Sequence, residues 1–150
     1  MTKIIFVCFG NICRSPMAEF VMKNLVARAG LEKDFLIESA GCYPSVGTPI
    51  SEGTVGELIK NKIPFTPRTS KLLDKSDYKK FDYLIGMDRY NVADMKSICG
   101  GDPDKKIFLL MTFAGENRDV ADPYYTDNYE ETYKDCLIGC AALLENILSS

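Results

Sequence analysis

A four-stranded parallel sheet with helices on both faces, a flavodoxin-like or Rossmann-like α/β three-layer sandwich, is the fold this sequence predicts. Three observations carry the prediction. Short runs rich in β-branched and aromatic residues recur along the chain, and segments with apolar residues at helical spacing separate them. Glycine and proline punctuate the boundaries between the two kinds of segment. Neither an internal repeat nor a linker interrupts the alternation, which implies parallel strands joined by crossover helices.

Ile4 to Val7 reads as a strand buried in the sheet, and Gly10-Asn11 ends it with two residues that tolerate positive φ. Ser15 as N-cap and Pro16 at the first helical position start a helix that runs to about Ala29, with Ala18, Val21, Met22, Leu25 and Ala29 on one face and Gly30 as its stop. Phe35 to Glu38 is a second strand, leading into a long loop from Ser39 to Pro49 that is rich in turn residues. Ser51 to Lys62 forms a second helix with Val55, Leu58 and Ile59 inward, ending before Pro64. Residues 64–80 make a surface crossover whose apolar anchor is Leu72-Leu73. Asp82 to Gly86 is the third strand, followed by a helix from Met87-Asp88-Arg89 to about Cys99 and a Gly100-Gly101-Asp102-Pro103 turn. Lys106 to Leu110 is the fourth strand. After a loop from Thr112 to Thr126, Asp127-x-x-Glu130 reads as an acidic capping box for a last helix carrying Tyr133, Cys136, Leu137, Cys140, Leu144 and Ile147 on one face.

Bulk properties narrow the function classes. A chain of 150 residues is expected to form one domain, 1–150, burying roughly two-thirds of its unfolded surface without disulfide staples. Its 46% hydrophobic and 26% charged residues belong to a globular chain, not a disordered one. A net charge of −3 argues against nucleic acid as a partner. The apolar run Ile4 to Phe9 is too short for a signal-peptide core, and no segment approaches the roughly 18 apolar residues of a membrane span. The expectation is a cytoplasmic protein without a membrane partner, whose six cysteines are free. With no histidine and no C-x-x-C, neither a metal nor any other cofactor is expected.

Chemistry concentrates between the first strand and the first helix. Cys8 supplies a thiol, and Arg14 and Ser15 supply a guanidinium and a hydroxyl after the five residues Phe9, Gly10, Asn11, Ile12 and Cys13. The amides from Phe9 to Ser15 can turn inward as an anion nest, the helix N-terminus adds positive potential, and Arg14 can grip two phosphate oxygens at once. The same field favours thiolate, because such surroundings bring cysteine pKa values to roughly 3.5–7.5. Ligands of open α/β sheets bind beyond the strand C-termini at the switch point, so the loops at Cys8, Ser39, Met87-Asp88 and Asp122 should converge there. Asp122, held by Pro123 and flanked by Tyr124 and Tyr125, is the candidate proton donor, with Asp119 as its fallback. Asn11 shapes the loop with Ser39 as its partner. Asp88 and Asn91 either cap the following helix or brace the site.

Val7-Cys8-Phe9-Gly10-Asn11-Ile12-Cys13-Arg14-Ser15-Pro16 resembles the signature loop of the low-molecular-weight protein tyrosine phosphatases. Asp122-Pro123-Tyr124-Tyr125 is similar to that family's general-acid loop, and Ser39-Ala40-Gly41 and Met87-Asp88-Arg89-Tyr90-Asn91 add to the likeness. The resemblance implies the same fold and a metal-independent phosphatase acting on phosphotyrosine in proteins and on small aryl phosphates. It implies Cys8 as nucleophile, Arg14 and the loop amides as phosphate binders, and Asp122 as general acid and base. Cys13 is either a core thiol or a resolving cysteine that captures oxidised Cys8 as a disulfide, and the resemblance supports the second. Tyr124 and Tyr125 are substrate-rim residues or themselves targets of a partner tyrosine kinase. Three departures stand out: Arg68 where the family has histidine, a 42–48 loop one residue short with Tyr43 as its aromatic, and Phe9 in place of leucine.

Competing readings separate on particular residues. Arsenate reductases that resemble this family need two further cysteines near the site, and no such pair occurs near the third strand. Protein-arginine phosphatases of the family favour threonine where Ile12 stands. A redox sensor or phosphate-binding module toggling Cys8 and Cys13 would have no use for Asp122.

Overall fold

The computed structural model describes all 150 residues. Its sheet is built from β1 (Thr2–Cys8), β2 (Phe35–Gly41), β3 (Tyr83–Gly86) and β4 (Ile107–Leu109), all parallel, in the order β2-β1-β3-β4. Central β1 is buried on both sides from Ile4 to Cys8, which is why that stretch is continuously apolar. Ile4, Phe6 and Cys8 face the layer containing α1 (Arg14–Arg28) and α6 (Tyr129–Leu148), while Ile5 and Val7 face the layer containing α4 (Arg89–Cys99). A β1-to-β2 crossover on one side and a route from β2 to β3 past β1 on the other create the switch point at the end of β1.

Several boundaries differ from the sequence reading. Helix α1 begins at Arg14, so Cys13 occupies the N-cap and Pro16 the third helical position. Ser15 does not cap; its hydroxyl turns under the preceding loop, where it has stronger partners. Asn11 takes the left-handed conformation at φ 58°, and Gly10 stays out of it. Strand β2 continues through Ser39 to Gly41, because its register with β1 runs to the Cys8–Gly41 pair. Gly41 has to be glycine there: a Cβ would lie 2.8 Å from the Phe9 carbonyl oxygen and 3.2 Å from the Asn11 nitrogen.

The second helix, α2 (Glu52–Lys60), is capped by Ser51 as expected, yet Ile59 is exposed and Leu58 alone of the predicted trio is fully buried. The 64–80 crossover is more than a surface loop. Its Thr69 bridges Pro49, Leu72 bridges Gly41, and a short helix α3 (Asp77–Lys80) buries Tyr78. Leu73 is its buried anchor, whereas Leu72 points outward. After β4 a 3₁₀ turn covers Leu110–Ala114, and a one-turn helix α5 (Pro123–Thr126) precedes α6. Asn128, not Asp127, caps α6 by accepting from the Glu131 N–H; Asp127 ends α5 at φ 52°. No helix is long and apolar enough to cross a membrane.

Candidate active site

The loop after β1 and the N-terminus of α1 form the floor of a cavity of about 1020 Å³, whose lining includes every residue from Cys8 to Arg14. Asp88 and Asn91 reach it from the N-terminus of α4, and Asp119 to Asp122 with Tyr124 and Tyr125 close it from the segment before α6. Three of the four predicted loops thus meet directly. The fourth contributes from beneath, through Ser39.

The floor is a set of donors aimed at one sulfur. The Asn11 N–H donates to Cys8 Sγ at 3.3 Å, and Ser15 Oγ lies 3.0 Å from the same atom. Asn11 Nδ2 donates to Ser15 Oγ at 2.8 Å, which occupies an acceptor site of that hydroxyl and leaves its one proton between the sulfur at 3.0 Å and the Ala40 carbonyl at 3.4 Å. The amide orientation of Asn11 is fixed by its surroundings. Its Nδ2 also donates to Ser39 Oγ at 3.1 Å, and its Oδ1 accepts from the Lys71 N–H at 3.0 Å and from the Arg68 guanidinium. Ser39 in turn donates to Glu19, a buried carboxylate on α1 that Lys23 neutralises at 2.7 Å.

Arg14 lies over this floor, 4% exposed, and it is held rigidly. Its Nη2 is 2.8 Å from Asp88 Oδ2 and 3.3 Å from Asp122 Oδ2, and its Nη1 donates to the Val120 carbonyl at 3.3 Å. Burial alone would lower the Arg14 pKa; the negative charges of Cys8, Asp122 and Asp88 outweigh it and hold the guanidinium above its usual range. Asp88 does both of the jobs the sequence left open, because its other oxygen accepts the Asn91 N–H in a reciprocal capping box. Asp122 likewise divides its oxygens, one on Arg14 and one on the Tyr124 N–H that starts α5. Asp119 also lines the cavity, but it pairs with the Arg89 N–H at 3.0 Å and not with Arg14.

Aromatic rings make the rim. Tyr124 and Tyr125 are 83% and 82% exposed and stand edge to face at 5.1 Å, on one side of the mouth. Opposite, Phe9 lines the cavity and Tyr43 leans on it at 5.4 Å without lining the cavity itself. Cys13 is half-buried, and its thiol donates to Ser51 Oγ at 3.3 Å with the Tyr129 hydroxyl at 3.9 Å. Tyr129, Glu19 and Asp94 went unnoticed in the sequence, and Ser51 and Tyr90 entered it only as a helix start and as part of a motif. Only Asp94 carried a signal, as the residue one helical turn beyond Tyr90 on the same face of α4.

A thiol at the floor of an amide-lined cradle, with one buried guanidinium above it at the C-terminal edge of a parallel sheet, defines a thiol-centred oxyanion site on an α/β enzyme scaffold. Residues 3–149 match the family model described as low molecular weight phosphotyrosine protein phosphatase. The chain belongs to that family and is a protein-tyrosine phosphatase. It is 38% identical to the low molecular weight protein-tyrosine-phosphatase YfkJ of Bacillus subtilis over 98% of this chain and 96% of the relative. The crystal structure of YfkJ superimposes with a TM-score of 0.95 over 99% of this chain and 96% of that one. The protein-tyrosine-phosphatase PtpA of Staphylococcus aureus is 40% identical over 99% of this chain and 95% of its own length. A structure of the YwlE arginine phosphatase, a cysteine-to-serine mutant with a phosphorylated active-site serine, is 28% identical with a TM-score of 0.88, over 98% of this chain and 96% of that one.

Proposed function

We propose that this phosphatase hydrolyses phosphotyrosine in proteins, and small aryl phosphates, through a cysteinyl-phosphate intermediate on Cys8. One observation carries the reading: the Asn11 N–H and the Ser15 hydroxyl converge on Cys8 Sγ, in the same cavity where Arg14 meets Asp122. These donors stabilise negative charge on sulfur and, once the S–P bond forms, on the phosphoryl oxygens.

The incoming phosphate dianion takes over Arg14 from its two carboxylates, with the amides from Phe9 to Ser15 holding the remaining equatorial oxygens. Cys8 attacks phosphorus in line. As the S–P bond forms, the P–O bond to the ring breaks, and Asp122, carrying a proton, delivers it to the leaving phenolic oxygen. A water molecule then attacks phosphorus opposite sulfur and gives its proton to Asp122. The S–P bond breaks, the thiolate returns and inorganic phosphate leaves. Ser15 supports both steps by donating to sulfur as nucleophile and as leaving group. The rings at Phe9, Tyr43, Tyr124 and Tyr125 suit a flat aromatic substrate standing upright in the mouth.

Rapid mixing with p-nitrophenyl phosphate tests the mechanism. A burst of nitrophenolate with one phosphate trapped on Cys8 is expected, and Cys8→Ser should show no turnover; wild-type turnover in that variant overturns the reading. The solved arginine phosphatase makes phosphoarginine the substrate to compare. Ile12, apolar and bulky in the lining, favours the phosphotyrosine peptide in a head-to-head kcat/KM measurement. The substrates are phosphotyrosine proteins of the cytoplasm, and a tyrosine kinase acting on exposed Tyr124 and Tyr125 belongs to the same reading. A Cys8–Cys13 disulfide would additionally require Cys13 to leave Ser51 and Tyr129.

A further inference from the structure

Beneath the cradle, Asn11 holds a left-handed backbone at φ 58°, a conformation that is strained for a non-glycine residue and persists where its surroundings impose it. Arg68 is the group that grips it from both ends. One guanidinium nitrogen donates to the Asn11 carbonyl at 3.0 Å, and another donates to the Asn11 side-chain oxygen. The Arg68 side chain is 15% exposed, and its Nε lies 3.8 Å from Glu19.

We infer that Arg68 is a positioning residue: by clamping the carbonyl and the Oδ1 of Asn11 together, it locks the left-handed turn that aims the Asn11 N–H at Cys8 Sγ. The inference rests on the reading of Cys8 as nucleophile. Its physical basis is the planar fork, since two donors of one rigid group span two acceptors of one residue, which a lysine ammonium cannot reproduce with fixed geometry. The charged groups facing Arg68 are Glu19 from α1, with Lys23 on its far side, and Cys8 from the end of β1. Positive and negative groups therefore alternate from Lys23 through Glu19 and Arg68 to Cys8. A guanidinium stays protonated at every pH where the protein is folded, so the clamp is never released by titration.

The test compares wild type, Arg68→Gln, Arg68→Lys, Asn11→Gly and the Arg68→Gln/Asn11→Gly double variant on p-nitrophenyl phosphate, with kcat normalised to burst amplitude so that unfolded protein does not count. Arg68→Gln should lose about 10- to 100-fold in kcat, with a smaller rise in KM, because misdirected donors weaken transition-state stabilisation more than substrate binding. Arg68→Lys should recover part of the loss by holding one acceptor. In the Asn11→Gly background, where glycine adopts positive φ freely, Arg68→Gln should cost far less than in the wild type. Wild-type kcat in Arg68→Gln, or equal losses from Arg68→Gln with and without Asn11, overturns the clamp and leaves the phosphatase reading intact. No burst from the wild type overturns both.

Discussion

At the scale of single residues, the site is a contest for two groups, a sulfur and a guanidinium. Asp122 contacts Arg14 at 3.3 Å, and in the proposed mechanism an entering phosphate displaces that carboxylate and leaves it beside the departing oxygen. Asp122→Asn keeps the shape and removes the transferable proton. Its kcat is expected to fall about 10²- to 10⁴-fold on phosphotyrosine peptide and less on p-nitrophenyl phosphate, whose leaving group needs less protonation. Equal losses on the two substrates would contradict the role. The remaining thiols differ sharply from Cys8 in their surroundings. Burial, and then the charge of Asp94, pushes Cys42 up to about 12, and burial raises Cys136 and Cys140 further. At pH 8 those three should stay unlabelled by iodoacetamide in the folded protein, as peptide mass mapping would read; rapid labelling of Cys42 would refute it.

At the scale of elements, helix ends do much of the positioning. The N-terminus of α1 carries Arg14 and Ser15, that of α4 carries Asp88, and that of α5 carries Asp122. Sequence spacing located all of these residues, and it placed the first helix two residues late because it assigned Ser15 to capping. The free alternative, a hydrogen bond to Cys8 across the loop, could not be weighed from local pattern. The buried face of α6 was misread for a related reason. Thr132, Asp135, Cys136, Gly139, Cys140, Leu143 and Leu144 face inward, while Leu137 is exposed. The polar members belong there because Thr132 donates to the Ala121 carbonyl at 2.8 Å and Asp135 accepts from Arg118 and the Ala121 N–H. Apolar periodicity alone cannot see such partners. The small residue in that stripe is needed for contact: a Cβ on Gly139 would lie 2.5 Å from the fully buried Leu110 Cγ. Gly139→Ala gains up to about 1 kcal/mol of helix propensity, and overpacking costs about 1–3 kcal/mol. The second effect should win, lowering the urea midpoint; a raised midpoint would mean that α6 shifts freely against the 3₁₀ turn.

At the scale of the whole molecule, acid sensitivity follows from carboxylates that folding organises. Burial of Asp102 raises its pKa, but donation from the Lys106 N–H, the Tyr78 hydroxyl and the Ile107 N–H outweighs burial and leaves it lowered. This pins the turn before β4 to α3. A lowered folded pKa contributes stability that is complete above the unfolded value of about 3.9 and is lost as pH falls through the folded value. Wild type should therefore be more stable than Asp102→Asn near neutrality, with the gap closing below about pH 4. Denaturation midpoints that run parallel from pH 7 to pH 2 would exclude that contribution.

The four strands, the loop that joins the first of them to the first helix, and the placing of a thiol and a guanidinium on that loop were all determined by the sequence, because strand periodicity and the Cys8-to-Pro16 spacing are local properties that no distant contact has to supply. Only the tertiary structure decided that Asp122 and not Asp119 meets Arg14, that Asp88 both caps and braces, and that Arg68 reaches Asn11 from 57 residues away. Those outcomes depend on which side chains crossover connections bring within hydrogen-bond distance, and a one-dimensional pattern does not encode that distance.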